Sequence, residues 1–168
     1  ASAGRSSLHP VQFGNRIAYS YNRNFNKRLV KSPKLYFYDT GLACALLGIR
    51  AASQVSLHYL KGALFENLII TEFIKRSVHR GEVRPPYFWQ DNHGKEIDCL
   101  LVDGESVTPI EIKAGKTLSS SYFDNLKYWR PLVGLPEEQG YVVYGGDQSL
   151  QTSAGAYISW RHLERIPD

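Results

Sequence analysis

The stretch KEIDCLLVDGESVTPIEIKAG, Lys95 to Gly115, decides how this chain is read, because it sets Glu96, Asp98, Glu111 and Lys113 on two candidate strands. Its flanks alternate, are rich in β-branched residues and lack helical spacing, which predicts a hairpin turning at Asp103-Gly104-Glu105-Ser106. Side chains two apart on a strand share a face, so Glu111 and Lys113 point one way while Ile110 and Ile112 point the other. In the first strand the same alternation sets Glu96 and Asp98 against Ile97, Cys99 and Leu101.

Two registers are open. A two-residue loop with Gly104 first, the type II′ preference, puts Asp98 opposite Glu111 and Glu96 opposite Lys113. A loop of Asp103 and Gly104 instead puts Asp98 opposite Pro109 and diagonal to Glu111. Both bring two carboxylates together, and like charges at close range near a surface repel by about 4 kcal/mol. A positive group is therefore expected between them, either Lys113 or a divalent cation.

Upstream, Ser32-Pro33 bars helix, and Lys34 to Tyr38 reads as a short strand ending at Asp39-Thr40, the cap of a helix over Gly41 to Leu47 that Gly48 stops. A long helix is predicted from Leu60 to Arg80, closed by Gly81. At helical spacing Glu66 falls within the apolar arc of Phe65, Ile69, Ile70, Phe73 and Ile74, so it should point inward. There it needs a buried Arg, Tyr or Trp partner, or a metal. Gly62, one turn earlier, would let the helix approach the sheet closely.

Downstream of Pro85-Pro86, Tyr87 to Gln90 reads as a strand and Asp91 to Gly94 as a turn, which accounts for His93. Ser119 to Arg130 reads as a helix ended by Pro131, Gly140 to Tyr144 as an internal strand, and Tyr157 to Trp160 as a last strand before a short turn or helix over Arg161 to Arg165.

The 168 residues, 43% of them hydrophobic, suffice for one domain with a real core. Neither a membrane-spanning apolar run nor a signal peptide is evident, and Cys44 and Cys99 read as reduced thiols, so a cytoplasmic protein without membrane contact is expected. The chain lacks methionine and opens on ASAGRSS, which reads as a piece of something longer. Residues 1–38 carry seven basic and no acidic residues, interleaved with aromatics, whereas the remainder is net acidic. Residues 1–30 are thus expected to be a basic arm, or the remnant of an upstream domain, suited either to nucleic acid or to a protein partner. Residues 31–168 form the folded domain.

The order α-β-β-β-α-β, with Glu66 on the first helix, Asp98 on the second strand and Glu111-x-Lys113 on the third, resembles the PD-(D/E)xK nuclease superfamily. The segments KRLVKSPKLYFYDTGLACALLGI (Lys27 to Ile49), GALFENLIITEF (Gly62 to Phe73) and IDCLL with IEIKAG are similar to the domain of unknown function that ends many prokaryotic AAA-type ATPases. The resemblance implies an α/β restriction endonuclease-like core with a mixed central sheet flanked by helices. It also implies a catalytic set of Glu66, Asp98, Glu111 and Lys113. Asp98, Glu111 and Glu66 would hold Mg²⁺ or Mn²⁺, and Lys113 would orient water or steady the transition-state charge. The partners implied are nucleic acid, DNA ahead of RNA, and an ATPase module upstream in the parent chain. The chain itself has no phosphate-binding G-x-x-x-x-G-K-[ST] motif, so ATP hydrolysis is not expected of it. The alternative is a catalytically idle module that binds nucleic acid or protein and regulates the ATPase, or, more simply, a solvated charge ladder.

Overall fold

The structure is a computed structural model and describes residues 15–20, 34–82 and 84–167. Its centre is the hairpin of β4 (Glu96–Asp103) and β5 (Ser106–Lys113), joined by Gly104 and Glu105. Gly104 has φ +58°, a conformation that glycine reaches without a Cβ clash. This loop sets the first of the two registers, with Asp103 opposite Ser106 and Cys99 opposite Ile110.

Around the hairpin lie β1 (Asn15–Ser20), β2 (Lys34–Phe37), β3 (Tyr87–Gln90), β6 (Tyr141–Tyr144), β7 (Leu150–Thr152) and β8 (Gly155–Ser159). The eight strands form one mixed sheet in the order β2-β1-β3-β4-β5-β6-β8-β7. β3, β4 and β5 are the antiparallel meander expected from the sequence, while β6 runs parallel to both β5 and β8. Within the stretch read as an arm, Asn15–Ser20 pairs with both β2 and β3; the rest of residues 1–30 lies outside the described residues.

Among the described residues, four α-helices flank the sheet: α1 (Thr40–Leu46), α2 (Ala52–Leu57), α3 (Lys61–His79) and α4 (Asp124–Val133). Asp39 caps α1, its Oδ1 accepting from the N–H groups of Gly41 and Leu42 at 2.7 and 3.2 Å. On one face of the sheet, α3 buries Ile69, Ile70, Phe73 and Ile74 against Cys99, Ile110, Ile112 and Val143. On the other, α4 buries Leu126 and Trp129 against Ile97, Leu100, Val142 and Tyr144. Each such side chain contributes about 1.5–3 kcal/mol when fully removed from water.

Three expectations are corrected. Pro131 does not end its helix: it lies inside the last turn of α4, which runs on to Gly134 at φ +75°. Proline deprives only the carbonyl four residues back, that of exposed Lys127, which water can serve. Gly62 is not a close-approach glycine, since a Cβ there would meet nothing within 4 Å. The last strand ends at Ser159 rather than Trp160, and β7 and α2, both short, were not anticipated.

The end of β5 is clamped by Gly145, whose N–H donates to the carbonyls of Lys113 and Gly115 at 3.1 and 3.0 Å. A Cβ at Gly145 would stand 2.7 Å from the Ala114 carbonyl oxygen. Gly145→Ala is therefore expected to lower stability by about 1–3 kcal/mol in urea unfolding, while Gly62→Ala, with open space around it, leaves stability equal or higher. Equal losses for the two variants would contradict this packing.

Candidate functional site

Three steps of β4, from Leu100 to Ile97, lie opposite two steps of β3, from Tyr87 to Trp89, so β4 carries one extra residue at Asp98-Cys99. Such a bulge breaks the strict alternation of side chains and re-aims one of them. The paired ladder of β4 and β5 stops at Cys99 and Ile110. Just beyond it, the Asp98 carboxylate takes the place of a backbone acceptor, receiving the Ile112 N–H at 2.8 Å. Asp98 thereby sits in the gap between two strands, within reach of groups from both faces of the sheet.

On the α3 face, Glu66 and Glu96 join it. Ligand oxygens of Glu66, Glu96 and Asp98 all lie within 4.8 Å of one another. Lys34, the first residue of β2, donates to Glu66 Oε1 at 2.8 Å and also forms an ion pair with Glu96. Tyr36, two residues along the same strand, donates to the same Glu66 oxygen at 2.6 Å. Burial disfavours the Lys34 ammonium, but Glu66 and then Glu96 outweigh it and hold its pKa above the ordinary lysine value. Burial, followed by the Glu66 charge, likewise raises the Tyr36 phenol, so it stays a hydrogen-bond donor.

Asn67 places β2 against α3. Its side-chain oxygen accepts the Phe37 N–H at 2.7 Å, while its amide donates to the Phe37 carbonyl at 2.9 Å and to Thr40 Oγ1 at 2.8 Å. One buried amide thus satisfies both backbone groups of a strand residue from the helix that carries Glu66.

On the α4 face stand Glu111 and Lys113. Glu111 is opposite Val142 in the ladder and shares its face; its side chain is fully buried. The Lys113 ammonium bridges Glu111 Oε2 at 2.5 Å and Asp98 Oδ2 at 3.3 Å. Burial and then the neighbouring Asp98 charge push the Glu111 carboxyl up to about 8, against the pull of Lys113. Burial alone would depress Lys113, yet Asp98 and Glu111 outweigh it and raise its pKa. Glu111 Oε1 is buried and has no hydrogen-bond partner.

The structure thus brings together Glu66, Asp98, Glu111 and Lys113, but in two groups that share Asp98. Among the described residues, Glu96 rather than Glu111 completes the close acid trio with Glu66 and Asp98. Glu96 meets Lys34, not Lys113, and Tyr36 is the inward partner of Glu66. The position of Glu96, two before Asp98, was the sequence signal for its inclusion; nothing in the pattern pointed to Lys34 or Tyr36. His93 belongs to the turn, its N–H donating to Asp91 Oδ1 at 2.8 Å. The converging carboxylates of Glu66, Glu96 and Asp98 offer hard oxygen, which suits Mg²⁺ or Mn²⁺. Asp98 keeps 14% and Lys113 31% of the side-chain surface exposed, so solvent reaches the cluster.

A mixed α/β sheet with an acidic cluster where its central hairpin ladder ends is the class these features define. The chain belongs to the family described as Domain of unknown function (DUF4143), which matches residues 61–163 and so takes in all four acids and Lys113. A second description, Domain of unknown function (DUF8612), matches residues 14–53, where Lys34 and Tyr36 lie. Two uncharacterized proteins, from Mycobacterium bovis and Mycobacterium tuberculosis, are each 28% identical over 130 residues, covering 77% of this chain and 28% of theirs. The chain therefore spans little more than a quarter of the length of these relatives. No solved structure matches. Among the described residues no helix is long and apolar enough to cross a membrane.

Two outcomes follow from this geometry. Asn67→Ala, which strands the Phe37 N–H and carbonyl, should cost about 2–3 kcal/mol in denaturant unfolding. The second concerns pH. Because the folded state raises Glu111 from its ordinary 4.5 to about 8, it holds a proton that the unfolded chain has released, so this group's stabilisation falls as pH rises across that interval. Glu111→Gln, neutral throughout, should therefore gain stability relative to wild type between pH 5 and pH 8; a difference that stays flat would remove the assignment.

Proposed function

We propose that this is a nuclease-like domain with a restriction endonuclease-like core, which binds a divalent cation and hydrolyses phosphodiester bonds of nucleic acid, DNA ahead of RNA. In its parent chain it would follow an AAA-type ATPase module. The observation that carries the reading is the meeting of Glu66, Glu96 and Asp98 oxygens within 4.8 Å, with Lys113 held on the Asp98 carboxylate. The order α3-β3-β4-β5-α4-β6 supports the fold assignment.

Glu66, Glu96 and Asp98 would hold Mg²⁺ or Mn²⁺, with Glu111 behind Asp98. The ion would supply Lewis acidity, polarising a phosphoryl oxygen and lowering the pKa of water. Lys113 has the part of an electrostatic residue: its raised pKa keeps it protonated, and its partly exposed side chain can meet developing negative charge on a phosphate. Ile112 steadies Asp98 through its N–H. A polyanion approaching this acidic cluster needs compensation, for which the basic residues between Arg5 and Lys34 are the source in the sequence.

A second reading, an idle regulatory module, is favoured by one observation: Lys34 and Tyr36 already satisfy Glu66 without any ion. Calorimetric titration of Mg²⁺ and Mn²⁺ separates the two. The nuclease reading expects binding by wild type, at least about tenfold weaker binding by Asp98→Ala, and cation-dependent cleavage of DNA that this variant lacks. Nucleic-acid binding without cleavage, and no stabilisation by either ion, would establish the idle module instead.

A further inference from the structure

Resting on the divalent-cation reading above, we infer that Lys34 is a resident counter-cation of the site, which a divalent ion must displace in order to bind. The two ammonium groups of the cluster are not equivalent. Lys113 is tied to fully buried Glu111 and to Asp98, and stays with them. Lys34 instead occupies Glu66 and Glu96, two of the three acids whose oxygens converge.

Glu66 Oε1 already accepts from both Lys34 and Tyr36, so an arriving ion meets a carboxylate that is already engaged. Tyr36 is 4% exposed and fixed in the core. The Lys34 side chain is 25% exposed, begins an edge strand and ends in a flexible four-carbon stem. Its ammonium lies 5.5 Å from the centre of the Phe88 ring, a weak cation–π contact that holds it without locking it. An ammonium and a dication sharing these carboxylates repel each other at close range, and of the groups present Lys34 is the one free to withdraw. Loading the site therefore exchanges one positive charge for two and turns the Lys34 side chain outward, toward the solvent from which a phosphate backbone approaches.

The test compares Mn²⁺ affinity by calorimetry for wild type, Lys34→Met and Lys34→Arg. Lys34→Met should bind Mn²⁺ at least about tenfold more tightly than wild type, with the same stoichiometry, while Lys34→Arg stays near wild type. Mn²⁺ binding by wild type that Lys34→Met leaves unchanged or weakens overturns the Lys34 inference alone. Absence of binding by wild type and Lys34→Met alike overturns it together with the cation reading. Because removing Lys34 takes the ammonium partner from both Glu66 and Glu96, a second measurement uses wild type only: acylation of lysine amines followed by mass spectrometry, with exposed Lys127 as the internal reference. Mn²⁺ should speed labelling of Lys34 several-fold relative to Lys127, and an unchanged or slower rate overturns the displacement.

Discussion

The extra residue in β4 at Asp98-Cys99 is the constraint on which the site depends. Without it, period-two alternation would leave Asp98 on one face of the sheet and separate the acids of the α3 side from those of the α4 side. The bulge instead turns Asp98 into the gap where the β4–β5 ladder ends, where Ile112 N–H holds its carboxylate. One side chain then touches both groups: Glu66 and Glu96 in front, Glu111 and Lys113 behind. Bulges next to functional sites serve this purpose elsewhere, at the cost of one broken ladder position.

Charge balance is the second constraint. Close carboxylates near a surface repel by about 4 kcal/mol per pair, and this cluster holds four of them. Lys34 and Lys113 offset part of that, the phenol of Tyr36 a little more, and Glu111 meets the remainder by holding its proton toward neutral pH. An arrangement of this kind is poor at stabilising a fold, because desolvation offsets much of the Coulombic gain. Stability comes from the two apolar layers, α3 on one side of the sheet and α4 on the other. The site sits at the end of the two central strands, where the β4–β5 ladder stops, and there it can carry surplus negative charge without interrupting either layer.

The match of residues 61–163 to one family and of 14–53 to another divides the cluster unequally. The acids and Lys113 belong to the first segment, and the strand that brings Lys34 and Tyr36 to Glu66 belongs to the second. Asn67 joins the two, since it holds both backbone groups of Phe37 from the helix that bears Glu66. The relatives are more than three times as long as the matched stretch.

Much of the fold was legible because its signals are local. Gly104 marked the hairpin turn and left two registers, of which the structure takes the first; Asp39 and Gly48 bounded α1, Gly81 closed α3, and the apolar run Tyr141–Tyr144 marked an internal strand. Pro131 misled because a proline near the end of a helix removes only one backbone bond, at a carbonyl open to water. The identities of Glu66, Asp98, Glu111 and Lys113 as charged residues on helix and hairpin were determined by the sequence itself, through periodicity and turn chemistry. Which of them meet was decided by tertiary structure. The bulge forms only when β4 pairs with β3, and Lys34 and Tyr36 reach Glu66 from thirty residues away only once β2 has docked on α3. Contacts between distant segments leave no period in the chain that makes them.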